Sequence, residues 1–279
     1  MNVNDVRLKI NNVAWLVSLN YMTDAYEKYR RMVDLIRGMG KVAVAFSGGT
    51  DSTLLLKAAL DSGADVTTFM AIGEMFSPKA QKNALELAEK MGVKVVLIKT
   101  ELVNAESFKR NWDDRCYICK STIFQLIKKA SQDKEITHIL DGSQMDDLKE
   151  VRPGRAALVE LNVRSPLVEV KLNKEDVRSL LKQMELPNWN APSNTCLATR
   201  VPYDVRITRE QLKRVDQAET LLAPFDFKQL RVRDHGNWAR IEVAPEEIPR
   251  LFSERGKVVE LLLPLGYRRV SMDMEGYSH

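Results

Sequence analysis

Short apolar runs rich in β-branched residues alternate along this chain with segments of helical periodicity. The runs read KVAVAF, DVTTFMAI, VKVVLIKT and THILDG. The segments between them space their apolar residues as amphipathic helices do, and several end in glycine. Strands that alternate with helices of this length pair in parallel and are covered by helices on both faces. The sequence therefore predicts an α/β fold built on a doubly wound parallel sheet.

The last third of the chain has a different pattern. Residues 186–208 show little periodicity and contain three prolines, which predicts a long functional loop. Upstream of it, NVRSPLVEV predicts a strand and NKEDVRSLLKQMEL a helix with Asn173 as its cap. Downstream we expect a helix near residues 209–222, two short strands, one long helix and a last strand. We predict an N-terminal arm (1–22), the sheet domain (23–199) and a small α+β domain (200–279).

Composition restricts the cellular setting and the class of partner. The 279 residues contain three cysteines, and an odd number disfavours a disulfide framework, so we expect a reducing, cytoplasmic compartment. No apolar run approaches membrane-spanning length, and we expect no membrane partner. The net charge of +4 suits an anionic small molecule as well as RNA. A nucleic-acid partner is not indicated, since no added RNA-binding domain is visible.

The loop after the first predicted strand reads SGGTDS. Gly48 and Gly49 allow the backbone N–H groups to approach an anion, and the following helix adds a favourable dipole. Ser47 and Ser52 supply hydroxyl donors, and Asp51 is suited to the Mg²⁺ that accompanies nucleotide phosphates. The GxxxxGK[ST] phosphate-loop pattern is absent. These residues predict a nucleotide-binding loop that does not belong to the GxxxxGK[ST] class.

The cysteines form a close pair, Cys116 and Cys119, and a distant third, Cys196. A structural zinc site normally takes four ligands, and no histidine lies near any of the three in sequence. A redox pair of the thioredoxin type would leave Cys196 without a role. Three thiolates on a [4Fe–4S] cluster would leave one iron open to a hydrosulfide. A metal site at these three cysteines is one of the alternatives that the residues leave open.

Two resemblances favour sulfur chemistry. SGGTDS resembles the signature of the PP-loop ATP pyrophosphatases, which have an adenine nucleotide alpha hydrolase-like fold. The resemblance implies that a substrate oxygen attacks the α-phosphate of ATP and that a nucleophile then displaces AMP. A PP-loop combined with CxxC and a distant cysteine is similar to the cluster-dependent thiolating enzymes.

A closer resemblance is to the LarE family, sulfur transferases of nickel-pincer nucleotide synthesis. It is carried by VAFSGGTDST, RCYICKS, LDGSQMDD with VRPG, VRSPL, LPNWNAPSNTCLATRVPY and LRVRDHGNWARIE. It implies ATP-dependent conversion of pyridinium-3,5-biscarboxylic acid mononucleotide to its thiocarboxylate form, with sulfide or another sulfur donor. It also implies a homo-oligomer, which by family expectation is a hexamer. Asp204 departs from the pattern, which has glycine there.

The family contains two versions of the sulfur source. In some members the cysteine corresponding to Cys196 gives up its sulfur and becomes dehydroalanine, whereas others have three cysteines where this chain has Cys116, Cys119 and Cys196. The resemblance therefore implies the version with a [4Fe–4S] cluster, and the sacrificial version is the alternative. Lys120, adjacent to the pair, is suited to lower thiol pKa values or to neutralise ATP.

Several basic residues and one acidic residue are candidates for contacts with the substrate. Arg231 and Arg233 lie on one face of a predicted strand, because side chains alternate along it, and the resemblance assigns this motif to the substrate phosphate. Arg200 follows Cys196 closely and is placed to meet a carboxylate or phosphate near the sulfur. Arg152 and Asp147 follow the fourth strand, at the edge of the sheet where ligands bind.

Two other functions remain possible from the residues. One is tRNA thiolation by a related PP-loop enzyme, which would require a basic surface along the RNA backbone. The other is a non-catalytic, zinc-stabilised nucleotide-binding protein.

Overall fold

The structure is a computed structural model, which describes residues 24–149, 153–192 and 195–277. Contacts between residues divide it into two units, each made of several chain segments. The first contains the described residues of Met1–Ala71, Ala84–Ile98 and Phe124–Ala191, and the second those of Ile72–Asn83, Lys99–Ile123 and Pro192–His279. The predicted arm at residues 1–22 lies outside the described residues. The predicted domain boundary after residue 199 and the small C-terminal domain stay predictions.

A four-stranded parallel sheet confirms the predicted α/β class. Its strands are β1 (Lys41–Ala45), β2 (Asp65–Ile72), β3 (Val95–Lys99) and β4 (His138–Leu140). Their order is β3-β2-β1-β4, so the chain builds outward from β1 on one side and returns to its other side with β4. A sheet of this order, with helical crossovers, is compatible with a Rossmann-like fold, and the loop after β1 lies where the strand order reverses.

The helices occur between these strands and beyond them. They are α1 (24–37), α2 (Thr50–Asp61), α3 (Pro78–Lys90), α4 (Glu106–Lys109), α5 (Arg115–Gln132), α6 (Pro153–Glu160), α7 (Pro166–Glu169), α8 (Lys174–Gln183), α9 (Arg209–Leu222), α10 (Ile248–Ser253) and α11 (Arg255–Leu262). Short 3₁₀ turns lie at Leu102–Asn104, Met145–Leu148, Leu197–Arg200, Ala223–Phe225, Pro245–Glu247 and Leu263–Leu265.

The core of the first unit explains why β1 is so apolar. Val42, Ala43 and Val44 are fully buried, so both faces of this central strand are covered, as in parallel sheets with helices on each side. The apolar residues of α2 and α8 are buried too. The predicted cap of α8 is confirmed, since Asn173 and Asp176 form a reciprocal capping box.

The strand predicted for NVRSPLVEV is wrong. Arg164 forms a single parallel bridge with Leu140, and Pro166 then begins the short helix α7. Proline has no backbone N–H to donate to a ladder and its φ suits the first turn of a helix, so pairing ends after one bridge. The strand was predicted from the apolar content of the segment, without regard to Pro166.

The second unit contains a three-stranded sheet with two helices packed on it. Its strands are β5 (Leu230–Asp234), β6 (Trp238–Val243) and β7 (Arg269–Met272). The pair β5–β6 is antiparallel and β6–β7 is parallel. Residues of α9 and α11 share its buried core, listed here by their fully buried members: Ala218, Leu222, Val232, Ala239 and Leu262. These strands and α9 were predicted.

The long helix predicted after β6 is wrong in its continuity. It is divided at Glu254 into α10 and α11, because the backbone of Glu254 (φ −89, ψ 5) leaves the helical region. In the whole of the described part, no helix is long and apolar enough to cross a membrane.

Candidate functional site

The SGGTDS loop joins β1 to α2 in a conformation that requires glycine at one position. Gly48 has a φ of +75, and a Cβ built on it would lie 2.4 Å from the Cβ of Ala84. Gly49 is the N-cap of α2 in an extended conformation, where an added Cβ would meet only the Ser47 hydroxyl at 3.5 Å. The backbone turn and its close approach to α3 are therefore fixed at Gly48.

The two serines of the loop contact each other and the backbone. The hydroxyls of Ser47 and Ser52 lie 3.1 Å apart, the Ser47 N–H donates to the Ser52 hydroxyl, and Ser52 donates to the Gly49 carbonyl. Thr53 also donates to the Gly49 carbonyl, at 2.8 Å. The hydroxyls thus hold the loop in a closed turn. Their predicted contacts with ATP remain a prediction.

Asp51, in the first turn of α2, forms an ion pair with Lys174 of α8. The Lys174 ammonium donates to both Asp51 carboxylate oxygens, at 2.9 and 2.7 Å, and to the Thr50 hydroxyl at 2.6 Å. Burial raises the pKa of Asp51, Lys174 lowers that pKa in opposition, and the negative charge of Asp147 raises it further. The residue predicted to hold Mg²⁺ is thus a carboxylate already matched with a cation.

Two residues without a predicted role in this loop support it. The Asn188 side-chain amide donates to the Gly48 carbonyl at 3.0 Å and to the Thr53 hydroxyl at 2.9 Å. Gly142, two residues after the end of β4, lies so close that an added Cβ would be 3.0 Å from the Ser52 nitrogen. Both belong to motifs of the sequence, LPNWNAPSN and LDGSQMDD, in which position alone gave no indication of these contacts.

Asp147 has a structural role at the end of the same sheet. Its carboxylate accepts the Gln144 backbone N–H at 3.0 Å, and the Gln144 side chain accepts from Asp146, which forms a capping box around the 3₁₀ turn. Its predicted contact with substrate stays a prediction. Arg152, predicted beside it, lies outside the described residues.

The CxxC pair lies inside the helix α5. Because α5 begins at Arg115, Cys116 and Cys119 are three residues apart in its first turns and share one helix face. Cys196 immediately precedes the 3₁₀ turn Leu197–Arg200. Cys119 and Cys196 both pack against the apolar cluster that contains Met75 and Phe108.

Burial and neighbouring thiols raise the pKa values of Cys119 and Cys196. Burial raises the pKa of Cys119, and the charges that Cys196 and Cys116 would carry raise it further. Lys120 and Arg115 lower the same pKa, in the direction predicted for Lys120, without reversing the shift. Burial also raises the pKa of Cys196. These three thiols therefore lie close enough to repel one another as thiolates.

Arg200, only 1% exposed, connects the Cys196 loop to α9. Its guanidinium makes a bidentate pair with Glu219, at 2.8 and 3.0 Å, and donates to the backbone carbonyls of Thr195 and Cys196. Glu219 also accepts the backbone N–H of Val232 in β5. The arginine therefore positions the segment that carries Cys196, and its predicted contact with substrate stays a prediction.

Arg231 and Arg233 lie on the same face of β5, because Val232 between them points into the core. Arg233 pairs with Glu242 at 2.6 Å and donates to the Thr199 carbonyl at 2.8 Å. Burial, with the nearby positive charges of Arg200 and Arg233, lowers the pKa of Arg231. The positive charges of Arg200 and Arg233 thus act on Arg231, and the assignment of Arg231 and Arg233 to the substrate phosphate stays a prediction.

Comparison with known proteins decides the family. No family model matches the chain. It is 33% identical over 252 residues, 90% of this chain and 91% of the relative, to the pyridinium-3,5-bisthiocarboxylic acid mononucleotide synthase of Lactiplantibacillus plantarum. This chain belongs to the LarE family.

Two further relatives have the same extent. An uncharacterised protein of Synechocystis is 34% identical over 86% of this chain and 91% of its own length. One of Methanocaldococcus jannaschii is 30% identical over 85% of this chain and 90% of its own. Each match therefore spans nearly the full length of the relative.

The backbone explains the one departure from the LarE pattern. Asp204 has a φ of +62, in the left-handed region that favours glycine. Aspartate is among the side chains that tolerate this region best, so the turn after Pro202 and Tyr203 forms here without glycine.

Three thiols are the donors that the predicted [4Fe–4S] cluster would take, and the cluster itself stays a prediction. Among the side chains of the described residues, no group of three or more His, Cys, Asp or Glu is arranged to hold a metal ion. A [4Fe–4S] cluster makes a different demand, since each thiolate binds a separate iron and three thiolates leave the fourth iron open. Three cysteines whose charges repel one another, with Arg115 and Lys120 nearby to offset those charges, fit that donor set.

Sequence reasoning missed the residues that hold the Cys196 segment in place. Asn111 and Arg115 are buried and bond to one another, and Arg115 donates to the Ala198 carbonyl at 3.1 Å. Glu219 and Glu242 balance the arginines. Arg115 and Glu242 lie within the motifs RCYICKS and LRVRDHGNWARIE and so had a signal that could have been used, whereas Asn111 and Glu219 lie outside the quoted motifs.

Proposed function

We propose that this protein is an ATP-dependent sulfur transferase that converts pyridinium-3,5-biscarboxylic acid mononucleotide to its thiocarboxylate form. The observation that carries this proposal is the full-length relationship to a relative named pyridinium-3,5-bisthiocarboxylic acid mononucleotide synthase. The three mutually repelling thiols and the guanidiniums of the second unit support it, since a sulfur source and an anion site are what such a reaction needs.

The first step would be adenylylation of the substrate. A carboxylate oxygen attacks the α-phosphorus of ATP, the bond between that phosphorus and the bridging oxygen breaks, and pyrophosphate leaves. The SGGTDS loop is suited to the pyrophosphate end, because its turn at Gly48 and the start of α2 present backbone N–H groups to an anion. Asp51 would hold the Mg²⁺ that neutralises the leaving group.

The second step would transfer sulfur. A hydrosulfide attacks the acyl carbon of the adenylate, the carbon–oxygen bond to AMP breaks, and a thiocarboxylate and a proton result. Cys116, Cys119 and Cys196 would hold a [4Fe–4S] cluster, which supplies an open iron for the hydrosulfide. Arg200 would keep the Cys196 carbonyl and its segment in place, and Arg231 with Arg233 would bind the substrate phosphate.

The test uses protein purified without oxygen and supplied with iron, sulfide, Mg²⁺–ATP and the mononucleotide. We expect substrate-dependent release of pyrophosphate and AMP, several thiocarboxylates per chain by mass spectrometry, and iron bound to the protein. Cys116→Ala, Cys119→Ala and Cys196→Ala should each lose iron and turnover. Thr122→Ala, in the next turn of α5, serves as the control and should retain both.

Two outcomes would change the assignment. If only Cys196→Ala is inactive, and the wild-type chain makes one product while losing the mass of its sulfur, the Cys196 Cβ–Sγ bond is the sulfur source and no cluster is needed. If pyrophosphate is not released when substrate is present, adenylylation is refuted.

A further inference from the structure

Lys174 belongs to no motif of the sequence analysis, yet its side chain lies on the nucleotide loop. It is the first residue of α8, and its backbone N–H donates to the Asp146 carboxylate at 2.9 Å. Its ammonium then reaches Thr50 and both oxygens of Asp51. The base of the side chain is thus fixed, while its charged end is placed at the loop.

The ion pair between Lys174 and Asp51 is open to solvent on one side. The two side chains are 34% and 25% exposed, respectively. An ammonium with this access can move to another anion, because its flexible stem carries three rotatable donors and water can replace each lost bond. A fully buried pair would not separate without leaving an unpaired charge.

The charges of the loop require such a movement once ATP binds. Asp51 is an anion, and Asp147 adds a second negative charge that acts on it. The pyrophosphate end of ATP would bring further negative charge to the same loop, so cations must separate these anions. Mg²⁺ prefers carboxylate oxygens, and both oxygens of Asp51 are occupied by Lys174.

We propose that Lys174 is an exchangeable counter-ion, which occupies Asp51 in the nucleotide-free loop and transfers to the pyrophosphate end of ATP when Mg²⁺ takes Asp51. This inference rests on the proposed function. It makes Mg²⁺ and ATP bind together, since Mg²⁺ alone must compete with Lys174, and ATP provides the ammonium with an alternative anion. Lys174 is then a positioning residue before ATP binds and a ligand of the nucleotide afterwards.

The test measures nucleotide and metal binding separately, on the full chain. Binding of the α,β-methylene analogue of ATP, in the presence of Mg²⁺, and separately of AMP is measured by calorimetry. Binding of Mn²⁺ without nucleotide is measured by its paramagnetic resonance signal. The variants are Lys174→Gln and Lys174→Arg. The matched control is Lys57→Gln, which removes an equally exposed ammonium from its ion pair with Asp61 on α2.

In Lys174→Gln, the affinities for the ATP analogue and for Mn²⁺ should change in opposite directions. The analogue should bind about tenfold more weakly, equivalent to about 1.4 kcal/mol, because one cation is lost from the phosphates. Mn²⁺ should bind about threefold more tightly or better, since Asp51 has lost its competitor. AMP affinity should not change, Lys174→Arg should keep the analogue affinity within about threefold, and Lys57→Gln should match the wild type throughout.

Three results would overturn the inference. Unchanged analogue affinity in Lys174→Gln means that the ammonium does not reach the nucleotide. If Lys174→Gln binds both the analogue and Mn²⁺ more weakly, Lys174 only shapes the loop. The same conclusion follows if Lys174→Gln melts at a lower temperature than Lys57→Gln and Lys174→Arg is equally impaired. Failure of the wild type to bind the analogue would refute the proposed ATP site as well, and is thereby distinguished from a failure confined to the variants.

Discussion

Replacement of Asn111 by alanine should destabilise the second unit more than almost any other single polar change. Asn111 is fully buried and has a φ of +59. Its side-chain nitrogen donates to the carbonyls of Pro202 and Val205, at 2.6 and 3.0 Å, and its oxygen accepts from the buried guanidinium of Arg115. One side chain thus connects the start of α5 to the loop that follows Cys196.

The magnitude follows from what alanine leaves without a partner. Two neutral hydrogen bonds contribute about 0.5–1.5 kcal/mol each, and one to a charged group about 1.5–3 kcal/mol, so Asn111→Ala should lower the free energy of unfolding by about 2.5–6 kcal/mol. A left-handed alanine adds about 1 kcal/mol of backbone strain. Asn162→Ala is the matched control, since Asn162 has a φ of 56 and lies exposed in a turn.

Urea unfolding, followed by tryptophan fluorescence and circular dichroism, measures the difference. Trp112, adjacent to Asn111 and 45% exposed, reports on the same loop. Asn162→Ala should lose only about 1 kcal/mol, the cost of the left-handed alanine. Asn111→Gly, which removes the strain and not the loss of hydrogen bonds, should stay within about 1 kcal/mol of Asn111→Ala. If Asn111→Ala and Asn162→Ala agree within about 1 kcal/mol, the hydrogen bonds do not carry the stability assigned to them.

Three further predictions concern single positions. Gly48→Ala should abolish binding of Mg²⁺–ATP measured by calorimetry, because its Cβ has no space, whereas Gly49→Ala should weaken it by less than about tenfold; equal effects would contradict the geometry. Asp204→Gly should change the melting temperature by no more than a few degrees, because the relief of about 1 kcal/mol of backbone strain offsets the greater conformational entropy that glycine gives the unfolded chain. A loss of stability as large as that of a cavity-creating mutation would show that the aspartate side chain itself stabilises the loop. In iron-free protein, alkylation of Cys119 and Cys196, followed by mass spectrometry, should be slow at neutral pH and accelerate as the pH rises, because the raised pKa values keep both thiols protonated. The same shifts contribute stability to the folded state below the unfolded thiol pKa of about 8.5, and this stability is lost as the pH rises above that value. Fast labelling at neutral pH would refute the buried positions of the two thiols.

The sheet could be predicted because its strands are local signals. Each of β1 to β4 is an apolar run between turn residues, and β1 is apolar on both faces because both are buried. The strand predicted around Pro166 failed for an equally local reason, the missing proline N–H. The break at Glu254 had no such signal, since glutamate is a good helix former and its backbone angles depend on packing around it.

The residues around the loop show where sequence reasoning ends. Ser47, Gly48 and Asp51 could be selected as candidates because they stand together in one short, distinctive stretch of the sequence. Lys174 was not found, because an ammonium in a charged helix is ordinary in sequence and becomes distinctive only when α8 is placed against α2. Asn188 was hidden for the same reason.

The buried polar network around the cysteines depends on contacts between distant segments. Arg200 was selected for its closeness to Cys196 in sequence, and its actual partners on α9 could not be read from the chain. Glu219 carries no periodic or motif signal, although its carboxylate holds both Arg200 and the β5 backbone. Buried ion pairs are specified by geometry that only the folded unit supplies.

The apolar cluster against which Cys119 and Cys196 pack is assembled from segments that are synthesised at different times. Met75, Phe108 and the CxxC pair leave the ribosome long before Cys196, and Leu197, Ile207 and Val215, which cover the same cluster, come later still. During synthesis Cys119 therefore lies on an incomplete apolar cluster until Cys196 and the residues that complete the cluster have been made. The nascent chain is thus most open to premature oxidation, and to capture by a chaperone, in the interval between these two segments.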